Sequence, residues 1–412
     1  MRALYSFLTH ITYFFLKVSQ LFSKKMKLFI QGRKQVFYQL HENLDPSDAT
    51  IWMHCASLGE YEQGVPILNA LREQFKKYKI VVTFFSPSGY EVKKNSPLAD
   101  IVTYLPFDTP QNARLFINQV KPSIALFIKY EVWPNYMREL HKHQITTFLI
   151  SGMFRSNQIY FKWYGGIMRS TLQKFDHFFL QDSNSQKLLE TLQLKNTSVS
   201  GDTRFDRVSH QIEQDNSLEF MDRFIGDSIC IVCGSTWPED EEVLVPFINA
   251  LKTGVKFVIA PHKIEIQKIE NLRKKLTKKS ALFSEKENLQ LREFDVLIID
   301  TIGLLTKIYS YAHIAYVGGA MGKTGLHNIL EPATFGVPIV IGHHFDKFPE
   351  ARRLQHLAGL FSIQTAEECS AILEKLVSNK SFREKSGMIA GHFINSNTGA
   401  TRSIMDHLST NL

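Results

Sequence analysis

The sequence predicts an α/β protein built from two open, mostly parallel sheets in tandem, preceded by an amphipathic helix. Three observations carry this. From Thr50 onward, short apolar runs alternate with amphipathic segments. Strands alternating with helices make parallel sheets covered on both faces. The alternation stops at the polar stretch Ser209–Leu218 and then resumes. Before it begins, residues 1–35 carry Arg2, Lys17, Lys24, Lys25, Lys27, Arg33 and Lys34 and no acid.

In residues 1–35, Leu4, Leu8, Ile11, Phe15, Val18 and Phe22 recur at helical spacing, with Phe7, Phe14 and Leu21 on the adjoining edge. Ser6, His10, Lys17, Gln20 and Lys24 read as the opposite face. A helix with a wide apolar face and a basic border lies in a membrane interface. His10, Lys17 and Gln20 make it a poor spanning helix. No small-residue cleavage site follows, so it does not read as a signal peptide. A core-packed first helix and an uncleaved single-span anchor are the other readings. Lys24-Lys25-Met26-Lys27 adds attraction to anionic lipid of about 1 kcal/mol per charge near the surface.

The first set of expected strands is Ile51–His54, Ile80–Phe84, Ile101–Tyr104, Ile124–Ile128, Thr147–Ile150 and His177–Leu180, with helical patterns such as Glu62–Phe75 and Gln111–Gln119 between them. The second set is Ile229–Cys233, Lys256–Ala260, Val296–Ile299, Ile314–Val317 and Pro338–Ile341, with helices Glu239–Ala250, Glu265–Leu276 and Leu305–Ala312. The expected organisation is a membrane-associating segment 1–35, a first domain 36–208, a linker 209–228, a second domain 229–380, and a helical segment 381–412 packing back on the first domain. Two such sheets are expected to bind ligands at facing carboxyl edges.

The 412 residues, 44% hydrophobic and 21% charged, suffice for two or three domains with proper cores. The net charge of +8 permits contact with nucleic acid, an anionic membrane or a phosphorylated substrate, and chooses none. No nucleic-acid-binding signature is present. Four cysteines are too sparse for a disulfide framework. Cys230-Ile231-Val232-Cys233 has C-x-x-C spacing, but as a strand it points i and i+3 to opposite faces, and there is no second pair.

Chemistry-bearing residues follow the expected strands. His54-Cys55-Ala56-Ser57-Leu58-Gly59-Glu60 places a carboxylate where a loop enters a helix. Glu60 there suits a general base, or merely complements the helix N-terminus. Glu131-Val132-Trp133-Pro134-Asn135 reads as a site wall, or as a capping acid beside a core tryptophan. Arg204, in Gly201-Asp202-Thr203-Arg204-Phe205-Asp206, suits a phosphate or carboxylate, or pairs with Asp206. In the second set, Ser235 and Thr236 suit a helix cap or a phosphate. Pro261-His262-Lys263 brings two potential cations to a strand end, and Ile302-Gly303-Leu304 follows another. Val317 to Gly342 reads as strand, glycine turn, short helix and strand. Gly318 and Gly319 mark a sharp turn or a close approach. Asn328-Ile329-Leu330-Glu331 opens the helix and Pro332 sits just inside it. Amides at such a start suit a phosphate and a carboxylate beside them suits ribose hydroxyls. A tight connection without a ligand is the other reading.

Together, Ser57-Leu58-Gly59-Glu60, Leu105-Pro106-Phe107-Asp108, Glu131-Val132-Trp133-Pro134 and Gly325-Leu326-His327-Asn328-Ile329-Leu330-Glu331-Pro332 resemble the 3-deoxy-D-manno-octulosonic acid (Kdo) transferases of lipid A biosynthesis, from about Ile51 to Leu360. The resemblance implies a GT-B architecture, two Rossmann-like domains around a deep central cleft. It implies transfer of Kdo from CMP-Kdo to the lipid A precursor at the cytoplasmic face of the cell inner membrane. It implies that Glu60 is the general base and that Glu131 and Arg204 stabilise the transition state. Pro261, His262, Ile302, Gly303, Leu304, Asn328, Ile329, Leu330 and Glu331 fall where the family holds CMP, with Lys263 or His262 on the phosphate. Family members usually have Pro-Arg-His at 261–263, Gly-Glu at 303–304 and lysine at 204. Transfer by direct displacement predicts inversion at the anomeric carbon. CMP leaves with one phosphate, and no Asp-x-Asp motif is seen, so metal-independent catalysis without a cofactor is expected. Another GT-B enzyme using a UDP-sugar, and a non-catalytic membrane-bound scaffold, are the competing functions.

Overall fold

The computed structural model describes residues 2–250 and 254–410. The chain forms two compact units, Met1–Arg207 with Asn397–Leu412, and Val208–Ser396. In the first unit the strands are β1 (Thr50–Cys55), β2 (Lys79–Phe84), β3 (Ile101–Tyr104), β4 (Pro122–Ile128), β5 (Thr146–Gly152), β6 (His177–Leu180) and β7 (Thr197–Val199). They lie in the order β3-β2-β1-β4-β5-β6-β7, every pair parallel. Met53 of β1 sits between Val82 and Leu126. The strand order reverses between β1 and β4, where open parallel sheets leave a crevice at their carboxyl ends. All of β1 is buried, as a central parallel strand covered on both faces must be.

The second unit holds β8 (Ile229–Thr236), β9 (Val255–Pro261), β10 (Ser280–Leu282), β11 (Val296–Ile298), β12 (Ile314–Val317), β13 (Ile339–Gly342) and β14 (Leu360–Ile363). Their order is β10-β11-β9-β8-β12-β13-β14, again parallel. Here the order reverses between β8 and β12. Two seven-stranded parallel sheets with flanking helices make a GT-B-like α/β chain, as expected.

Each expected strand is present, with ends displaced by up to three residues. Three strands were not expected: β7, β10 and β14. They have three or four residues each, too few for a period to show. The expected helix Leu305–Ala312 is a short α-helix, Leu305–Ile308, followed by a 3₁₀ turn, Tyr309–Tyr311.

Two expected boundaries need correction. The stretch 209–228 is no bare linker: its helix Glu219–Ile225 buries Phe220, Met221, Phe224 and Ile225 in the second unit. The segment 381–412 is divided. Helix Lys380–Asn395 belongs to the second unit, and only residues from Asn397 onward join the first. There Ile404, Met405 and Leu408 enter the core formed by β1, β2 and β4. The Asp206 carboxylate anchors this return by accepting the Gly399 and Thr401 N–H groups, both at 2.6 Å.

The N-terminal pattern forms helix Arg2–Ser19 and, after a turn, helix Lys24–Gln31. Leu4, Phe7, Leu8, Ile11, Phe14, Phe15, Val18, Leu21 and Phe22 are all exposed, Phe22 at 85%. The apolar face is therefore not packed into a core. A narrower stripe docks the helix instead. Tyr5 donates its hydroxyl to Asp108 Oδ2 (2.7 Å), Tyr13 stacks on Phe107 (5.0 Å), and Leu16 packs beside Phe29 and Ile30. This stripe lies opposite the apolar face at helical spacing, so Ser6, His10 and Lys17 flank the helix rather than oppose its apolar side. Arg33 does not belong to a basic border. It is 7% exposed, donates to the carbonyls of Phe29, Phe85 and Leu105, and stands over the Phe29 ring at 3.8 Å. Burial lowers its pKa to about 10. Among the described residues no helix is long and apolar enough to cross a membrane.

Candidate functional site

Each unit gathers expected site residues beyond the carboxyl ends of its central strands. In the first, β1 runs straight into helix Leu58–Gln74, whose third residue is Glu60. The Ser57 N–H donates to Glu60 Oε2 at 3.0 Å, so Glu60 does complement the helix start. It is also only 8% exposed. Burial, then the charge of Glu131, raises its carboxyl to about 7, against the opposing pull of the Ala56 and Ser57 N–H groups and the Lys129 charge. A carboxyl half-ionised near neutrality can take a proton and give it up again.

Glu131 lies just past β4. The chain turns into this loop through Lys129, at φ +72, a left-handed conformation unusual for a side chain with a Cβ. The Trp133 indole N–H donates to Glu131 Oε2 at 2.9 Å. Trp133 is thus both a partial core residue and a partner of the site carboxylate. His54 Nε2 lies 3.3 Å from the same Glu131 oxygen, off the axis of a hydrogen bond. His54 is fully buried near the end of β1. It was not among the expected site residues. Its signal is a lone imidazole closing an otherwise apolar strand.

Arg204 reaches the same helix by a different route. It pairs with Asp202 (2.7 Å and 2.9 Å), not with Asp206 as the bland reading had it. Asp202 also accepts from Gln63, one turn beyond Glu60. Burial raises the Asp202 carboxyl, but the charge and hydrogen bonds of Arg204, together with Gln63, outweigh it and hold the group below the usual carboxylate range.

In the second unit, Ser235 (φ +56) bends the end of β8 toward Trp237. The Trp237 ring stacks on His262 at 4.6 Å, and His262 lies 4.4 Å from His327. The Trp237 indole donates to His327 Nε2 at 3.1 Å. Burial, then His262, lowers His327 to about 4; burial, then Lys263, lowers His262. Both rings are neutral near pH 7. Lys263 Nζ stands 5.3 Å from the Trp237 ring centre, so the expected pair of cations after β9 is one lysine beside a neutral imidazole. Pro261 ends β9 itself.

The glycine turn after β12 is a close approach. A Cβ on Gly318 would lie 2.4 Å from the Ser235 carbonyl oxygen, and Gly319 has φ +96. The buried Asp240 carboxyl fixes the turn, accepting from Gly319 N–H, Trp237 N–H and the Tyr316 hydroxyl. Beyond it, helix Leu330–Thr334 has only five residues. Asn328 precedes it and accepts the Leu330 N–H, while Ile329 is its cap residue and Pro332 its third residue. The Asn328 amide donates to Glu331 Oε1 (3.0 Å), and Thr306 donates to Glu331 Oε2 (3.2 Å). Thr306 follows the turn Ile302-Gly303-Leu304, so the structure joins these two expected segments. Gly303 has φ +91 and Ile302 is 85% exposed.

Cys230 and Cys233 are free, buried thiols in β8, raised by burial, Cys230 to about 12. Among the described residues no group of three or more His, Cys, Asp or Glu is placed to hold a metal ion.

Residues 30–207 match the family model described as 3-deoxy-D-manno-octulosonic-acid transferase (kdotransferase). A bifunctional glycosyltransferase/methyltransferase of Fusobacterium nucleatum is 27% identical over 88% of this chain, which spans 57% of that protein. A 3-deoxy-D-manno-octulosonic acid transferase of Haemophilus influenzae is 27% identical, covering 88% of this chain and 87% of that protein. The crystal structure of a UDP-GlcNAc 2-epimerase from Neisseria meningitidis superposes with a TM-score of 0.63 at 16% identity, covering 88% of this chain and 100% of that one. That last likeness is one of fold.

Proposed function

We propose that this chain, which belongs to the 3-deoxy-D-manno-octulosonic acid transferase family and is a glycosyltransferase, moves Kdo from CMP-Kdo to a hydroxyl of the lipid A precursor. The observation that carries this reading is the Glu60 carboxyl, buried beyond β1 and raised to about 7. Glu60 takes the proton of the attacking hydroxyl as that oxygen bonds to C2 of Kdo and the bond from C2 to the CMP phosphate oxygen breaks. Attack opposite the leaving group inverts the anomeric carbon. Glu131 and Arg204 stabilise the charge that develops on the sugar and the departing phosphate.

CMP is held by the second unit. Glu331, oriented by Asn328 and Thr306, binds the ribose hydroxyls. Lys263 takes the phosphate, with His262 as a neutral hydrogen-bonding neighbour. Pro261, Ile302, Gly303, Leu304, Ile329 and Leu330 supply backbone and apolar contacts around the nucleotide. A single phosphate needs no bridging metal, so the reaction is metal-independent. The exposed apolar face of residues 4–22, with Lys17, Lys24, Lys25 and Lys27, lies on the cytoplasmic surface of the inner membrane, where the acceptor is embedded.

Purified protein incubated separately with CMP-Kdo and UDP-sugars, each with a lipid A precursor, tests this. Release of CMP and a gain of Kdo in the lipid's mass are expected. Release of UDP alone supports a different GT-B transferase, and no release from any donor supports a scaffold.

A further inference from the structure

We propose that the turn Lys162-Trp163-Tyr164 is a second membrane contact, which seats its two aromatic side chains in an anionic lipid surface beside the N-terminal helix. The proposal rests on the membrane reading above and adds a separate point of contact to it. The turn lies between β5 and helix Gly166–Leu172. Its aromatic residues sort by side. Tyr160 is buried and Phe161 partly so, and both rings meet the buried Phe154 ring, at 5.7 Å and 6.5 Å. Trp163 and Tyr164 point the other way: they are 91% and 57% exposed, with their rings edge to face at 5.5 Å. The turn is built to hold them out. Arg169 Nη1 donates to the Tyr160 and Lys162 carbonyls at 3.1 Å and 2.6 Å. A Cβ on Gly165 would strike the Ile159 carbonyl oxygen, so the chain closes there on a glycine. A turn already fixed loses little freedom when it inserts.

Three observations make lipid the occupant. Trp and Tyr join an apolar ring to a polar tip, the pairing that settles at the level of lipid headgroups. The sequence around them has no acid from Leu140 to Phe175, while it carries Lys142, Arg155, Lys162, Arg169 and Lys174. Such a surface attracts an anionic membrane and repels a second copy of itself. The turn also adjoins the other proposed contact. Ile167, Ser170, Thr171 and Lys174, which follow the turn, line one cavity with Tyr5 of helix Arg2–Ser19. Leu4, Phe7 and Leu8, exposed at that end of the helix, therefore lie beside the turn. On its inner side the turn reaches the candidate site: burial, then the Glu131 charge, raises the Tyr160 phenol. Two contacts fix the tilt of the first unit where one helix would let it roll, and they bring the site to the surface that holds a lipid acceptor.

The test uses the full-length protein and vesicles of phosphatidylcholine with or without phosphatidylglycerol, and needs neither donor nor acceptor. Brominated lipid should quench part of the tryptophan emission of the wild type, and that part should vanish in Trp163→Phe, which keeps a ring to insert. Trp163→Ser with Tyr164→Ser should weaken binding to the phosphatidylglycerol vesicles about tenfold, the effect of withdrawing two partly inserted rings. Its affinity for CMP should equal that of wild type, which checks folding. Arg155→Gln and Lys162→Gln should each cost about fivefold on those vesicles and nothing on phosphatidylcholine alone. The quenching should persist at saturating lipid when Phe14, Phe15 and Phe22 are serine, which separates this contact from that of the helix. Equal quenching in wild type and Trp163→Phe, or unweakened binding by the double serine variant, would overturn the proposal. So would a wild type that is a dimer and a double serine variant that is a monomer, because the turn would then meet a second copy. A wild type that binds these vesicles but transfers no Kdo would overturn the reaction and leave the contact standing.

Discussion

The two clusters treat charge in opposite ways. In the first unit burial acts on carboxyls, and raises Glu60 to about 7. In the second it acts on imidazoles, and lowers His327 to about 4. The same physical cause, loss of water around an ionised form, yields a poised proton acceptor in one place and a neutral stacked wall in the other. The first arrangement suits a chemical step. The second suits a flat base, a ribose and one phosphate, with Lys263 as its cation. The clusters also differ in cover: Glu60 is closed in, whereas Ile302 stands open to solvent. A catalytic carboxyl gains from dryness, while a nucleotide must enter and leave.

If this division of labour is right, damage to the second cluster should change affinity and spare the chemistry. Glu331→Gln removes a charged acceptor from the proposed ribose site. CMP should bind about 10- to 100-fold more weakly by calorimetry, the scale of one charge-assisted hydrogen bond. Unchanged affinity would place the nucleotide elsewhere. The N-terminal helix offers a third region whose loss should touch neither cluster. Phe14→Ser, Phe15→Ser and Phe22→Ser together should weaken binding to anionic phospholipid vesicles at least about tenfold while CMP affinity stays the same. Equal vesicle binding by this variant would refute membrane contact through that face.

The raised carboxyl also has a signature in stability. The folded state binds the Glu60 proton more tightly than the unfolded chain does. Stability therefore falls as pH rises from the ordinary glutamate range, near 4.5, through about 7. Glu60→Gln removes that burden. It should stabilise the protein by on the order of 1 kcal/mol at pH 8, with the gain shrinking toward pH 4. Thermal melts across that range check this, and a constant difference would mean that Glu60 is not raised.

Much of this was legible beforehand. Long apolar strands such as β1, β4 and β8 announce themselves because a strand covered on both faces has few polar residues to blur it. The segments 302–304 and 328–331 were both picked out, but their joining through Thr306 and Glu331 is a tertiary contact that no spacing records. Arg33 looked like surface charge because sequence shows its type and not the three carbonyls it meets. Its burial depends on Phe85 and Leu105, more than fifty residues away. His54 was passed over for a related reason. An imidazole in a strand is usually a satisfied core residue, and its polar neighbours here, Thr83 and Glu131, come from two other segments. Helix Glu219–Ile225 was taken into the linker 209–228 because its apolar residues fill only two turns.

The most direct test is the rate of Kdo transfer by Glu60→Gln at saturating CMP-Kdo and lipid A precursor, measured beside its affinity for CMP. Loss of the proton acceptor should cut kcat by about 10²- to 10⁴-fold and leave CMP affinity within about twofold of wild type. Near-normal turnover in that variant would contradict the account, because the carboxyl on which the chemistry is built would then be dispensable.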